Sequence, residues 1–372
     1  MAQLKRTYKS WINGEVRSEQ REYTEPTQLL ASDGTLLAAG YARHNVFDYD
    51  RTKVCPQMRS KEWDFYQISN GQYTVQLSFA NISFGGYVSA VLIDLRHPNP
   101  SKKLAAGKIA ESTALFVGGK NKYVLPPKGD VPNRVRYNVS GIGKAYFEFV
   151  TEKNSRTLFF KSADTECRFT MDIPDGLENI TTVLPFKDHP KSFFMTTKQN
   201  CMPCEGFFTK KGETVKFSKD DTFCTLDWGR VNTPYRLVWY WGNGSTYITD
   251  GKGVRHTFGF EITWGIGDES AATETAVFYD GKLHKFGAVD VDVFPKPDKY
   301  TEPWHFRSED GRFDFTMTPF YDHHCDTNAL GLLRMHSHQV HGMWNGTAVL
   351  DDGTKLEIKD MYAFCEYVEN KW

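Results

Sequence analysis

Apolar and polar residues alternate with a period of two along much of the chain. Val75, Leu77 and Phe79 interleave with Thr74, Gln76 and Ser78, and Val289, Val291 and Val293 with Asp290 and Asp292. Phe313, Phe315 and Met317 interleave with Arg312, Asp314 and Thr316, and Leu356 and Ile358 sit among Lys355, Glu357 and Lys359. Successive side chains of a strand point to opposite faces, so this pattern predicts antiparallel strands with one face on a core and one on water. Asn-Gly or Asp-Gly pairs begin at Asn13, Asp33, Asn70, Asp175, Asn243, Asp250, Asp280, Asp310, Asn345 and Asp352. Such pairs supply the positive φ of a type I′ hairpin turn. Those at Asp250, Asp280 and Asp310 recur at an interval that suits a hairpin and its return in a meander.

Helical periodicity is scarce. Met361, Phe364, Cys365 and Val368 fall at i, i+3, i+4 and i+7, which predicts a short amphipathic C-terminal helix. A second helix is expected near residues 103–111. A chain of 372 residues is longer than one core usually fills, about 250–300 residues, so two domains are expected. Asp175-Gly176, Pro185 and the polar run Lys187-Asp188-His189-Pro190-Lys191-Ser192 mark the boundary. The expected fold class is all-β: two antiparallel β-barrels in tandem, residues 1–182 and 183–372, the second carrying the richest motif segment.

Composition narrows the function classes. Lys and Arg number 45 against 46 Asp and Glu, a net charge of −1, which argues against a nucleic-acid partner, since such binding rests on a basic surface. Aromatic residues make up 15% of the chain; they fit a β-rich core or line a cavity for an apolar ligand. Seven cysteines form no disulfide framework. The first residues, Met1-Ala2-Gln3-Leu4-Lys5-Arg6, lack an apolar signal core, and no segment is long and apolar enough for a membrane helix, so a cytoplasmic protein is expected. Gly141-Ile142-Gly143-Lys144 and Gly265-Ile266-Gly267-Asp268 have neither phosphate-loop nor dinucleotide-fold spacing. No cofactor is expected.

Four segments carry candidate chemistry. Leu226-Asp227-Trp228-Gly229-Arg230, with Pro234-Tyr235 and Trp239-Tyr240-Trp241-Gly242, sets a carboxylate and a guanidinium beside several aromatic rings. On one strand Trp239 and Trp241 share a face and Tyr240 takes the other. The segment reads either as an aromatic pocket with an acid/base carboxylate, or as a core with one structural ion pair. Asp268-Glu269-Ser270-Ala271-Ala272-Thr273-Glu274 reads as a tight turn into a strand, and Glu274 is a partner for Asp227 in a two-carboxylate pair. Lys198-Gln199-Asn200-Cys201-Met202-Pro203-Cys204 has Cys-x-x-Cys spacing without the second ligand pair a structural zinc needs, and Lys198 and Asn200 fall on one strand face. His336 and His338 share a strand face and, with His323 or His324, make either a three-histidine metal site or a set of cross-strand histidines; no metal ligand is assigned.

Several of these residues also carry a family resemblance. Glu25-Pro26, Gly40-Tyr41-Ala42-Arg43 and Lys61-Glu62-Trp63-Asp64 resemble the opening of the family named domain of unknown function 2804. The likeness continues through Lys198–Gly206, Asp227-Trp228-Gly229-Arg230, Trp239-Tyr240-Trp241-Gly242, Asp268 to Glu274, Phe278-Tyr279-Asp280-Gly281-Lys282 and Gln339-Val340 to Trp372. That family is distantly similar to tandem lipocalin-like (calycin) proteins such as carotenoid hydratases and cyclase-type enzymes, which implies two barrels and an apolar ligand pocket. The chain departs from the family pattern at Cys204, at Thr275, and at His323, His324, His336 and His341. The expected activity is acid/base chemistry on a hydrophobic small molecule: hydration, isomerisation or cyclisation. Asp227 is its acid/base group and Glu274 the partner. Lys198, Asn200 and Arg230 orient the polar end, while Tyr235, Trp239, Trp241 and Gln339 complete the substrate-binding set. A non-catalytic binder of an apolar ligand and a carbohydrate-active enzyme are the rival expectations.

Overall fold

The computed structural model describes residues 10–12, 15–17, 20–96, 109–118, 122–291, 299–329 and 333–371. The fold is all-β, with strands joined mostly by hairpins and two single 3-10 turns, Arg51–Lys53 and Gln57–Arg59. Asn13, Asp292 and Val293, most of the 103–111 segment and Trp372 lie outside the described residues; Ile109–Val117 is a strand.

Two large curled sheets dominate. In the first, β1 (Ser60–Ser69) pairs on one side with β2 (Tyr73–Asn81). On its other side β1 pairs with β5 (Phe223–Asn232), β5 with β4 (His189–Lys210), and β4 with β3 (Ile180–Phe186). The hydrogen-bonded path runs on to Asn133–Gly141 at one end and Ile109–Val117 at the other. An isolated bridge between Leu115 and Ile142 ties these two ends, with N···O distances of 2.8 and 3.1 Å. The second sheet has nine strands. Its centre is β10 (Lys355–Lys371), flanked on one side by β6 (Arg236–Thr249) and then β7 (Arg255–Trp264), and on the other by β9 (Leu333–Val349) and then β8 (Phe313–Ala329). The chain passes from one sheet to the other at Thr233-Pro234-Tyr235, whereas residue 182 falls inside β3.

Each sheet wraps its own core. Tyr66, Ile68, Cys224, Leu226 and Trp228 belong to the first, and Tyr240, Phe258, Phe260, Ala363 and Cys365 to the second. Alternate residues on these strands therefore point out of both cores, and the two sheets turn these faces toward each other. Thr74, Gln76 and Ser78, expected on a water-facing side, are buried. Thr74 Oγ1 lies 2.7 Å from Tyr362 OH, and Gln76 Nε2 donates to Gln339 Oε1 at 2.6 Å, both across the sheet interface.

The C-terminal helix is not present: residues 355–371 form a strand paired on both sides. A register shift near Gly346, opposite Asp360 at φ +50°, interrupts the alternation. Lys355, Glu357 and Lys359 are exposed, but from Met361 to Val368 both faces are at least partly buried, so apolar residues fall at helix-like intervals without a helix. Turns occur as expected at Asp280-Gly281 (φ +46° and +80°) and five similar pairs with positive-φ glycines. Asn243-Gly244 and Asn345-Gly346 instead lie inside strands. Gly244 is small because a Cβ there would sit 2.6 Å from Ala363 Cβ and Met361 Cε.

Candidate functional site

The outward faces of β4, β5, β6, β7 and β10 place charged side chains around one amine. Lys198 pairs in register with Asp227, and Asp227 with Phe65. Lys198 Nζ lies 2.8 Å from Asp227 Oδ1 and 3.7 Å from Glu274 Oε2. It also stands over the indole of Trp241, 4.0 Å from the ring centroid, a cation–π contact strengthened by desolvation. Burial opposes the charge on Lys198, but Asp227, Glu274 and Glu261 outweigh it and raise its pKa. The amine is thus a fixed positive centre.

Glu274 enters from the loop that precedes Ala276–Tyr279. Thr182 Oγ1 and Thr263 Oγ1 donate to its carboxylate at 3.3 and 2.6 Å, and Thr196 Oγ1 donates to it as well. The predicted turn before it is present: Ser270 N donates to Asp268 Oδ1 at 3.0 Å. Three hydroxyls and one ammonium leave Glu274 little freedom.

Two further carboxyl groups face the same space. Glu261 on β7 accepts from Trp241 Nε1 at 2.7 Å. Burial pushes its pKa well up; Lys198 and the Trp241 indole N–H work against this, and Glu274 and Asp227 add to it. Glu366 on β10 accepts from Trp239 Nε1 at 3.1 Å. Burial and the charge of Asp227 raise its pKa, while Trp239, Lys198 and Gln339 pull the other way, leaving it at about 7. Glu366 and Trp239 are only partly buried, so this side of the site reaches toward solvent. Phe65 and Phe364 pack against Trp241 at centroid distances of 6.0 and 5.2 Å. Asn243, on the same face of β6, keeps both side-chain polar atoms buried and without a hydrogen-bond partner. It lines a cavity of about 20 Å³ with Gln67, Thr225 and Tyr362, room for about one water.

Lys198, Asp227, Glu274, Trp239, Trp241 and Gln339 therefore come together. Gln339 stands opposite Glu366 and His323 in the sheet register. Asn200 shares their face but donates to the Phe260 carbonyl at 2.9 Å, tying one sheet to the other. Arg230 does not join them. Three residues beyond Asp227, it points into the first core. There it pairs with Asp64 Oδ1 at 3.0 Å and donates to the carbonyls of Pro126, Trp63 and Gly229. Its guanidinium stacks on Trp228, 4.2 Å from the centroid. Tyr235 is exposed at the crossover between sheets, beneath the Arg59 guanidinium. Cys201 and Cys204 are both buried in separate clusters, with thiols pushed up by burial, and share no ligand position. Glu261 and Glu366 were not anticipated. The signal that marks Glu261 is a lone charge between Phe260 and Ile262 in an apolar strand; Glu366 was masked by the helical reading of the C-terminus.

Among the described residues, no helix is long and apolar enough to cross a membrane. No curated protein matches the chain by sequence. Among solved structures, the crystal structure of CghA with Sch210972 is similar at 9% identity and a TM-score of 0.49, covering 84% of this chain and 88% of that one. Kievitone hydratase from Nectria haematococca is similar at 11% identity and a TM-score of 0.44, covering 95% and 98%. The family model described as Domain of unknown function (DUF2804) matches residues 20–372, and the chain belongs to that family.

Proposed function

We propose that the space around Lys198 is the active site of an enzyme that moves protons on a small molecule with an apolar body, in a hydration, isomerisation or cyclisation. The observation that carries this reading is the convergence of Asp227, Glu261, Glu274 and Glu366 on one buried amine beside Trp239 and Trp241. Acid/base catalysis works best with a group whose pKa lies near the working pH. Glu366, at about 7 and partly exposed, meets that condition. Glu274 is bound by three threonine hydroxyls and acts by positioning Lys198. Asp227 and Glu366 are then the proton-handling pair, with Lys198 as the fixed charge between carboxylates. The indole faces of Trp239 and Trp241 bind the apolar body and stabilise positive charge that develops on it. Lys198 occupies the gap between Asp227 and Glu274 where a glycosidase would place the scissile bond, which counts against the carbohydrate reading. We read the two curled sheets as two lipocalin-like barrels side by side, a reading supported by the Leu115–Ile142 tie.

The test is incubation of the protein with an extract of hydrophobic metabolites, followed by untargeted mass spectrometry. The expected result is a product differing from its precursor by one water, or an isomer with a shifted retention time. Asp227→Asn and Glu366→Gln should abolish its formation while both variants keep the native circular dichroism. A co-purifying apolar ligand that the wild type never converts, bound equally by both variants, would establish a binder instead.

A further inference from the structure

A second cluster lies on the hairpin β8–β9, away from Lys198. His324 pairs in register with His338, and Asp326 with His336. Side chains at Asp322, His324 and Asp326 on one strand, and at His336 and His338 on the next, therefore share one face. One nitrogen from each of His324, His336 and His338 lies within 4.8 Å of the other two. His324 Nε2 is 3.4 Å from His336 Nδ1. Two imidazole ligands of one tetrahedral zinc, each about 2.0–2.1 Å from the metal, stand about 3.4 Å apart.

We infer that His324, His336 and His338 bind one divalent transition-metal ion of the zinc class, with a fourth position left for water or a ligand. The surroundings fit that role. His338 Nδ1 contacts Asp322 Oδ2 at 2.7 Å, so its Nε2 is the ligating nitrogen and the carboxylate fixes the tautomer, as outer partners of metal-bound histidines do. The His338 ring is held against Tyr300 with centroids 3.6 Å apart. Asp326 lies 3.4 Å from His336 Nδ1 and is itself held by Arg334 at 3.2 Å, adding negative charge beside the cation. His324 is exposed and free to turn its ring from the stack on His338, 4.2 Å between centroids, into a converging geometry. Nitrogen ligands suit zinc, copper, nickel and cobalt, and disfavour calcium and magnesium.

The experiment is titration of the chelator-stripped full chain with cobalt chloride, then zinc chloride, read by visible absorption and calorimetry. One Co²⁺ per chain with the intense bands of a four-coordinate site, displaced by Zn²⁺, is expected. His324→Ala and His336→Ala, both at accessible positions, should each weaken binding at least tenfold with circular dichroism unchanged. Asp322→Asn should weaken it by about 10–100-fold without removing a ligand. Cys325→Ser, on the opposite strand face, should leave it unchanged. No stoichiometric uptake, or uptake that the His324→Ala/His336→Ala double variant retains, would overturn the assignment.

Discussion

Lys198 Nζ sits 2.8 Å from Asp227 Oδ1, on paired strands of the first sheet, and both side chains point at the second sheet. The amine also neutralises carboxyl groups supplied by the other sheet. Lys198→Met removes the positive charge that lies 2.8 Å from Asp227 and 3.7 Å from Glu274 while keeping a stem that packs on Trp241. Breaking a buried pair by deleting one partner leaves an uncompensated charge and costs about 3–5 kcal/mol. Urea unfolding of Lys198→Met should show a loss of that order with an unchanged m-value. A loss under about 1 kcal/mol, the range of surface pairs, would mean that the site is far wetter than its burial indicates.

Glu366 gives stability a pH dependence of definite sign. Its folded pKa, about 7, is raised by burial above the ordinary glutamate value. Between the two values the folded state binds more protons than the unfolded one, so this group's contribution is full at acid pH and is lost as pH rises through about 7. Lys285 acts oppositely: burial lowers it to about 7, so the unfolded state binds more protons above that pH and stability rises with pH there. Denaturation midpoints compared across pH should therefore fall less on the acid side of neutrality in Glu366→Gln than in the wild type. Lys285→Met should flatten the rise on the alkaline side. Profiles that superpose on the wild type would refute both assignments.

Arg230 tests the difference between a structural and a ligand-binding charge. Its guanidinium meets Asp64, the carbonyls of Pro126, Trp63 and Gly229, and the face of Trp228. Lysine keeps the charge but lacks the planar fork that reaches these acceptors together. Arg230→Lys should lower stability by about 1–3 kcal/mol, the cost of buried groups left unpaired, and leave affinity for any ligand of the Lys198 site unchanged in the folded fraction. A selective loss of ligand affinity at unchanged stability would return Arg230 to the binding set.

The strands and most turns were legible because period two and Asp-Gly pairs are local signals. So was the shared face of Trp239 and Trp241, which follows from spacing alone, and Tyr240 does enter the second core. The destination of the polar faces was not legible. A strand that alternates Thr74, Gln76 and Ser78 with apolar residues looks the same whether water or another sheet covers the polar side. Here another sheet does, and this is why Glu261 and Glu366 went unnoticed while Asp227, in a segment dense with indoles, stood out. The C-terminus misled for a related reason. Met361, Ala363 and Cys365 enter one core while Phe364 packs on Trp241, so burial on both faces imitates a helical stripe.

Gly229, in the middle of Asp227-Trp228-Gly229-Arg230, is fixed by its neighbour across the ladder. It pairs in register with Trp63, and a Cβ at Gly229 would stand 2.1 Å from Trp63 Cζ2, with two more ring carbons at 2.2 and 2.5 Å. The motif glycine is thus explained by the indole that lies over it. Trp63 is in turn pinned by Phe194, 5.9 Å away between centroids, within the cluster of Tyr41, Leu184, Val231 and Ile266. Gly229→Ala must push the indole aside, and overpacking of this kind costs about 1–3 kcal/mol. Trp63→Ala removes the obstacle but leaves a void, costing about 3–5 kcal/mol. In the double variant the new methyl enters space the indole has left, so its own penalty should vanish. Unfolding of the four proteins in a double-mutant cycle should give a favourable coupling of about 1–3 kcal/mol. Simple additivity would mean that the ring already has another place to go. The glycine would then need a different explanation, in the approach of a substrate to the strand that carries Asp227.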